Sequence, residues 1–362
     1  MSHQKFLFAV SVALVLISGL LLYSQSPASK SAMPIGKPIT IKAPLGLPPV
    51  PIPADNPPTA ETVALGRRLY YDPILSSDKS VSCANCHAPQ YGFADPKPFS
   101  EGVDKKKGGR NSPPVLNAAY FHVQFWDGRA PSLEKGPVQN PVEMANTLTE
   151  VERRLNDDPS YKEQFAKAWG LWPITYEMVE KSIASFERIV VSGNSPFDRW
   201  KYGHDQKAIS ESAKRGFVVF TAKNKGNCAA CHLVRDKYAL FTDNRFHNIG
   251  VGVEMGAPTD LGLNAVTKKE ADKGLFKTPS LRNIAQTAPY MHDGSLKDLK
   301  QVMDFYIGAG NSNPTLDKQI HALDFLTGQE RADLLEFLNS LTGEVPADVG
   351  PPADMRTEAK AK

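Results

Sequence analysis

Cysteine is scarce in this chain: four residues in 362, all of them in two identical Cys-x-x-Cys-His units. None is left for a disulfide framework, and no further Cys or His pair stands at zinc-finger spacing. Charge of one sign is lacking too. The formal net charge is +3, with no basic stripe and no interleaving of aromatic and basic residues, which argues against nucleic acid as a partner. Lys105-Lys106-Lys107 is the only tight basic run and sits among glycines, where a solvated loop is expected. No alternating strand pattern is sustained, so the fold is expected to be mainly α. With 41% hydrophobic and 22% charged residues, the chain has an ordinary globular composition and length enough for two compact domains plus tails.

Residues 6–23 form one apolar run preceded by Lys5. It reads as a signal-peptide core or a membrane anchor, within a leader spanning 1–30. Tyr23-Ser24-Gln25-Ser26 offers no clean small-x-small cleavage site, which favours a retained anchor; either reading exports the rest of the chain to the periplasm. Residues 31–58 hold nine prolines and read as an extended tether. The folded part is expected over 59–343, with 344–362 a tail. Within it, apolar spacing predicts helices over 62–71, 148–169, 176–191, 210–220, 296–307 and 329–341. Thr327 with Glu330 marks the start of the last one.

An internal duplication organises these helices. Leu65-Gly66-Arg67-Arg68-Leu69-Tyr70 precedes the first Cys motif as Arg215-Gly216-Phe217-Val218-Val219-Phe220 precedes the second. Downstream, Pro113, Val115, Asn117 and Ala119 register without a gap on Pro279, Leu281, Asn283 and Ala285. The same register sets Trp126-Asp127-Gly128-Arg129 against His292-Asp293-Gly294-Ser295. Two cytochrome c-like haem domains are therefore expected, 59–205 and 206–343.

Covalent haem attachment needs two thiols spaced to reach two vinyl groups, beside a His that binds iron. Cys83-Ala84-Asn85-Cys86-His87 and Cys228-Ala229-Ala230-Cys231-His232 supply this. A redox dithiol needs no adjacent His and favours a βαβ setting that the pattern lacks. The two haems look chemically different. In the second half, the helix after His292-Asp293-Gly294 carries Met303 and Tyr306, both plausible iron ligands. The matching stretch of the first half carries Glu143, which would serve as acid and base toward peroxide, or would be a surface carboxylate in a Pro-rich loop. Met144 would instead cap the first iron and make that haem a carrier.

These residues resemble the bacterial dihaem cytochrome c peroxidase family, which includes the methylamine-utilisation enzyme MauG. The likeness spans about residues 60–343. It rests on Leu69-Tyr70-Tyr71-Asp72-Pro73, both Cys motifs, Arg110-Asn111-Ser112-Pro113, Phe125-Trp126-Asp127-Gly128-Arg129, Gly136-Pro137-Val138-Gln139, Val142-Glu143-Met144, Thr278-Pro279-Ser280-Leu281-Arg282-Asn283 and Pro289-Tyr290-Met291-His292-Asp293-Gly294. The resemblance implies a peroxidatic first haem with His87 proximal and Glu143 as acid–base residue. It further implies an electron-storing second haem on His232, Trp126 as relay between them, and calcium on the Asn111 side chain and the carbonyls of Thr287 and Pro289. Two departures are informative. Val103 stands where typical peroxidases carry a blocking His, so the first haem is expected to be open at rest. Tyr306 stands where peroxidases have a Met, as in MauG, with Met303 the competing ligand. The expected partners are hydrogen peroxide and either a small redox protein or a side chain on a protein substrate. The rival reading is a non-catalytic dihaem electron carrier. His122, His204, His247 and His321 have no motif support and are expected at the surface or in packing.

Overall fold

The computed structural model describes residues 31–136, 143–170 and 173–356. The leader with its apolar run at 6–23, Pro137-Val138-Gln139, and Pro141 and Val142 beside Glu143 lie outside these. Among the described residues no helix is long and apolar enough to cross a membrane. Helix dominates, and the strands are two antiparallel pairs of two residues each: Phe246–His247 with Phe276–Lys277, and Val253–Glu254 with Ala257–Pro258.

Each half is built on one crossing of two helices. Ala60–Tyr71 packs on Tyr176–Glu187, and Glu211–Thr221 packs on Gly328–Asn339. The crossings need glycine at equivalent places. A Cβ on Gly66 would fall inside the Ser182 carbonyl, and one on Gly216 inside the Asp333 carbonyl. Without side chains there, the backbones approach closely enough to seal the apolar seam. Two separate hydrophobic clusters result. Leu65, Leu69, Phe165 and Phe186 lie in the first, and Phe220, Phe241, Leu334 and Phe337 in the second. Phe197, N-terminal to the expected boundary at 205/206, packs in the second cluster.

The duplication persists in the backbone. Asn117, Phe125 and Gly128 have φ of 64°, 65° and 71°, and their counterparts Asn283, Met291 and Gly294 have 57°, 73° and 63°. The bridge Gln124–Ala130 recurs as Tyr290–Leu296. Where the halves meet, the exchange is reciprocal. Asn111 donates its N–H to the His292 carbonyl at 2.7 Å, and Lys277 donates its own to the Trp126 carbonyl at 2.8 Å. These are the same two positions with the halves swapped, the self-complementary pattern of a twofold interface.

Five expectations need correction. The helix expected over 148–169 is two helices, Leu148–Asp157 and Pro159–Trp169. Pro159 cannot continue the first, and the Asp158 carboxylate caps the second by accepting from Ser160 and Tyr161 at 2.8 and 3.2 Å. The helices expected at 176–191 and 296–307 are shorter, ending at Glu187 and beginning at Leu299 behind the N-cap Asp298. The described part of the proline-rich segment is not a free tether. It buries Leu47, Val50 and Asn56, and the buried Arg282 that clamps Asp198 also donates to the Gly46 carbonyl at 2.6 Å. Proline bars a helix there but leaves carbonyls free to dock. The tail is likewise laid down: Val349 is buried, Tyr71 donates to its carbonyl, and Arg67 and Arg68 reach Gly350 and Asp354.

Candidate functional site

Cys83–Cys86 is a single helical turn. Its start is fixed by Asn85, whose Oδ1 accepts from the Ser82 N–H and hydroxyl at 2.8 Å each. His87 follows, its N–H donating to the Cys83 carbonyl at 2.9 Å and its own carbonyl accepting from the Tyr70 hydroxyl at 2.7 Å. The main chain at His87 is thereby fixed. Its Nδ1 is buried without a hydrogen-bond partner. Burial holds the ring's pKa down; main chain of Pro113 and Phe93 offsets part of this without completing a hydrogen bond. None of the four cysteines is in a disulfide. Burial pushes Cys86 up to about 11 and Cys228 up to about 12. Redox dithiols of the Cys-x-x-Cys type depress a thiol pKa instead.

The motif opens on a cavity of about 490 Å³. Cys83, Cys86, His87, Trp126, Glu143 and Met144 all line it, so the structure gathers the first-half residues singled out by sequence. Glu143 is held by the loop that contains Val103. Val103 donates its N–H to the Glu143 carbonyl at 2.8 Å, and a Cβ on Gly102 would collide with the Glu143 main chain. Val103 itself is buried.

A second acid in the same wall escaped the sequence reading. Glu187, on the Tyr176–Glu187 helix one turn from Ile183, also lines the cavity. Burial, with Glu134 adding and Arg188 opposing, pushes its carboxyl up to about 8. Its signal in the sequence was a carboxylate within an otherwise apolar helix face, which periodicity reads as an imperfection.

Trp126 occupies the seam. Its indole Nε1 donates to the Asn111 carbonyl at 2.8 Å, and its own carbonyl accepts from Lys277. Beside it, Arg110 binds Asp260 through two nitrogens at 2.7 and 2.8 Å and Asp127 at 2.6 Å, joining the halves by charge. His292, the counterpart of Trp126, is buried and stacked on Phe276 with ring centroids 3.7 Å apart. Asn111, Thr287 and Pro289 are all buried. The Asn111 amide nitrogen donates to the Lys97 carbonyl at 2.9 Å, which leaves Oδ1 as the open ligand atom.

In the second half, His232 turns Nδ1 to the Phe241 carbonyl at 2.9 Å, so Nε2 is the nitrogen left for a metal. Tyr306 lies close enough to Cys228 and Cys231 for their charges to act on it; burial and then these thiols raise its pKa. Its hydroxyl has no hydrogen-bond partner among the described residues, and the ring meets Phe305 edge-on at 5.8 Å. Met303 is packed in the second core cluster. His122, His204 and His321 are exposed. His247 is not a bystander: it sits between Asp317 at 2.5 Å and Asp243 at 2.9 Å. Cys231 first, then these carboxylates, hold it up to about 10.

Two half-buried Cys-x-x-Cys-His turns in a mostly helical duplicated chain define a dihaem c-type cytochrome. Residues 60–206 match the family model described as di-haem cytochrome c peroxidase, and residues 213–342 match cytochrome c. The chain is 42% identical to the methylamine utilization protein MauG of Methylorubrum extorquens, over 82% of this chain and 83% of that protein. It is 37% identical to a cytochrome-c peroxidase of a Pseudomonas species, covering 83% and 86%. Among solved structures, a MauG-like protein associated with microbial copper homeostasis superposes with a TM-score of 0.74 at 32% identity, covering 85% of this chain and 96% of that one. The chain belongs to the di-haem cytochrome c peroxidase and MauG family of oxidoreductases, and it carries two haem c domains.

Proposed function

We propose that this protein reduces hydrogen peroxide at the His87 haem and uses the second haem, ligated by His232 and Tyr306, to store or relay oxidising equivalents. The observation that carries this reading is that Glu143 shares one cavity with Cys83, Cys86 and His87, clamped there by a loop bearing Val103. The residues fit haem: each motif sets two cysteines outside any disulfide beside a His, and His232 holds its Nδ1 on the Phe241 carbonyl so that Nε2 is left for iron. When bound, haem c supplies an iron that exchanges electrons at each site.

The rest is done by the chain. Glu143 takes a proton from one peroxide oxygen and returns it to the other, so that water leaves. Val103 has no lone pair to offer and keeps the cavity clear of a protein ligand. Trp126, in contact through its main chain and indole with both halves, is placed to relay electrons. Tyr306 as an anionic oxygen donor stabilises oxidised iron and lowers the second site's potential. Asn111 Oδ1 and the carbonyls of Thr287 and Pro289 form an all-oxygen donor set suited to calcium; Asn111 meets that loop through its bond to His292. Export to the periplasm, by way of the apolar run at 6–23, belongs to the same proposal.

The ferric spectrum tests it. One high-spin and one low-spin haem are expected, and Glu143→Gln should keep both haems while cutting peroxide turnover on the order of 10² or more. Two low-spin haems would favour the electron carrier, with Met144 on the first iron. Tyr306 and Val103 together also favour a second reading, MauG-like oxidation of a side chain on a partner protein. Peroxide turnover that proceeds with a small redox protein as sole donor separates the two.

A further inference from the structure

Lys277 is 7% exposed, yet among the described residues it has neither an ion pair nor a side-chain hydrogen bond. The contact to its ammonium is the Phe121 ring face, 4.1 Å away. No carboxylate acts on it, and burial alone pulls its pKa down to about 8. A ring face returns only part of what an ammonium loses on leaving water, so an anion beside a buried lysine of this kind would stabilise its charge.

The duplication sharpens the point. Lys277 occupies the position of Asn111, whose amide nitrogen donates to the Lys97 carbonyl within its own half. The Lys277 ammonium has no such partner among the described residues. It faces a space of about 30 Å³ lined by Pro113, Phe121, Trp126 and Pro279. Pro113 and Trp126 also line the His87 cavity, while the Pro279 main chain acts on His232. The space is small, and an anionic group of a molecule lodged in the adjoining His87 cavity would supply the missing charge. Haem c keeps its two carboxylates after thioether formation; the space at Lys277 adjoins the His87 cavity through Pro113 and Trp126 and approaches His232 through Pro279.

We propose that Lys277 is the ionic anchor of a haem carboxylate at the seam between the two haem sites, and that its charge holds up the reduction potential of that haem. A cation beside a haem favours the reduced state, which carries one positive charge fewer. The proposal rests on haem occupancy of the two motifs and not on the peroxidase reading, so it stands or falls independently of Glu143.

The test is a spectroelectrochemical titration of the holoprotein as Lys277→Met and Lys277→Arg, with the two haems followed by their separate visible bands. Lys277→Met should lower the potential of one haem by at least a tenfold change in its reduction equilibrium, about 59 mV for one electron. Lys277→Arg should restore it, and the affected band identifies which haem supplies the carboxylate. Haem content per chain should be unchanged. Should the methionine variant fail to take up haem, Lys277→Gln carries the same comparison. Wild-type potentials for both haems in a neutral variant would overturn the proposal and leave the lysine balanced by Phe121 and water.

Discussion

Val103 donates its main-chain N–H to the carbonyl of Glu143 at 2.8 Å, with Gly102 pressed against the same acid's backbone. The loop bearing Val103 is therefore the loop that positions Glu143. A methyl group at 102 cannot be accommodated without moving Glu143. With Glu143 in its proposed acid–base role, Gly102→Ala should load both haems normally and lose on the order of 10- to 10²-fold in peroxide turnover. Steady-state peroxide consumption beside haem content checks this. Wild-type turnover would mean the loop yields without cost.

The second haem's ligand separates two neighbours on one helix. Tyr306 lies near the Cys228 and Cys231 thiols, whereas Met303 is packed in the core. Tyr306→Phe should change the low-spin bands of the second haem and raise its potential. Met303→Leu should leave the spectrum alone and cost under about 1.5 kcal/mol of stability, being nearly volume-conserving. The opposite pattern in the ferric spectra would hand the ligand role to Met303.

Glu187 gives the protein a pH dependence of known sign. Its carboxyl is raised from 4.5 to about 8 by burial. The folded state keeps a proton that the unfolded chain releases above about 4.5. Stability from this group is thus full at low pH and is lost as pH rises from about 4.5 to about 8, by on the order of a few kcal/mol. Glu187→Gln should flatten that decline in denaturant midpoints of the holoprotein. An undiminished slope would place the effect elsewhere.

The helix crossing of the second half should be intolerant of a single methyl group. A Cβ on Gly216 would overlap the Asp333 carbonyl and crowd Phe337, so Gly216→Ala should destabilise by about 1–3 kcal/mol. Chemical denaturation reads this directly, and a neutral result would show that the two helices can separate freely.

Local chemistry was written in the order of residues. The two Cys-x-x-Cys-His units, the duplication that sets Trp126 on His292, and the capping box of Thr327 with Glu330 depend on near neighbours or on fixed spacing. All were readable before any fold was known, and so was the asymmetry that sets Glu143 in one half against Met303 and Tyr306 in the other. The break at Asp158-Pro159 was readable as well, but helical periodicity on both sides concealed it.

Tertiary structure decided what distant segments do to one another. Proline content predicts that 31–58 is not helical, but not that Gly46 would lie under Arg282, 236 residues away. Nothing local marks Glu187 or Lys277 as unusual. Each became so when other parts of the chain removed its water, Lys277 without any opposite charge and Glu187 with Arg188 opposing only part of the effect. Sequence fixes which groups are ionisable; only packing decides which of them are left inside, and what they must then be paired with.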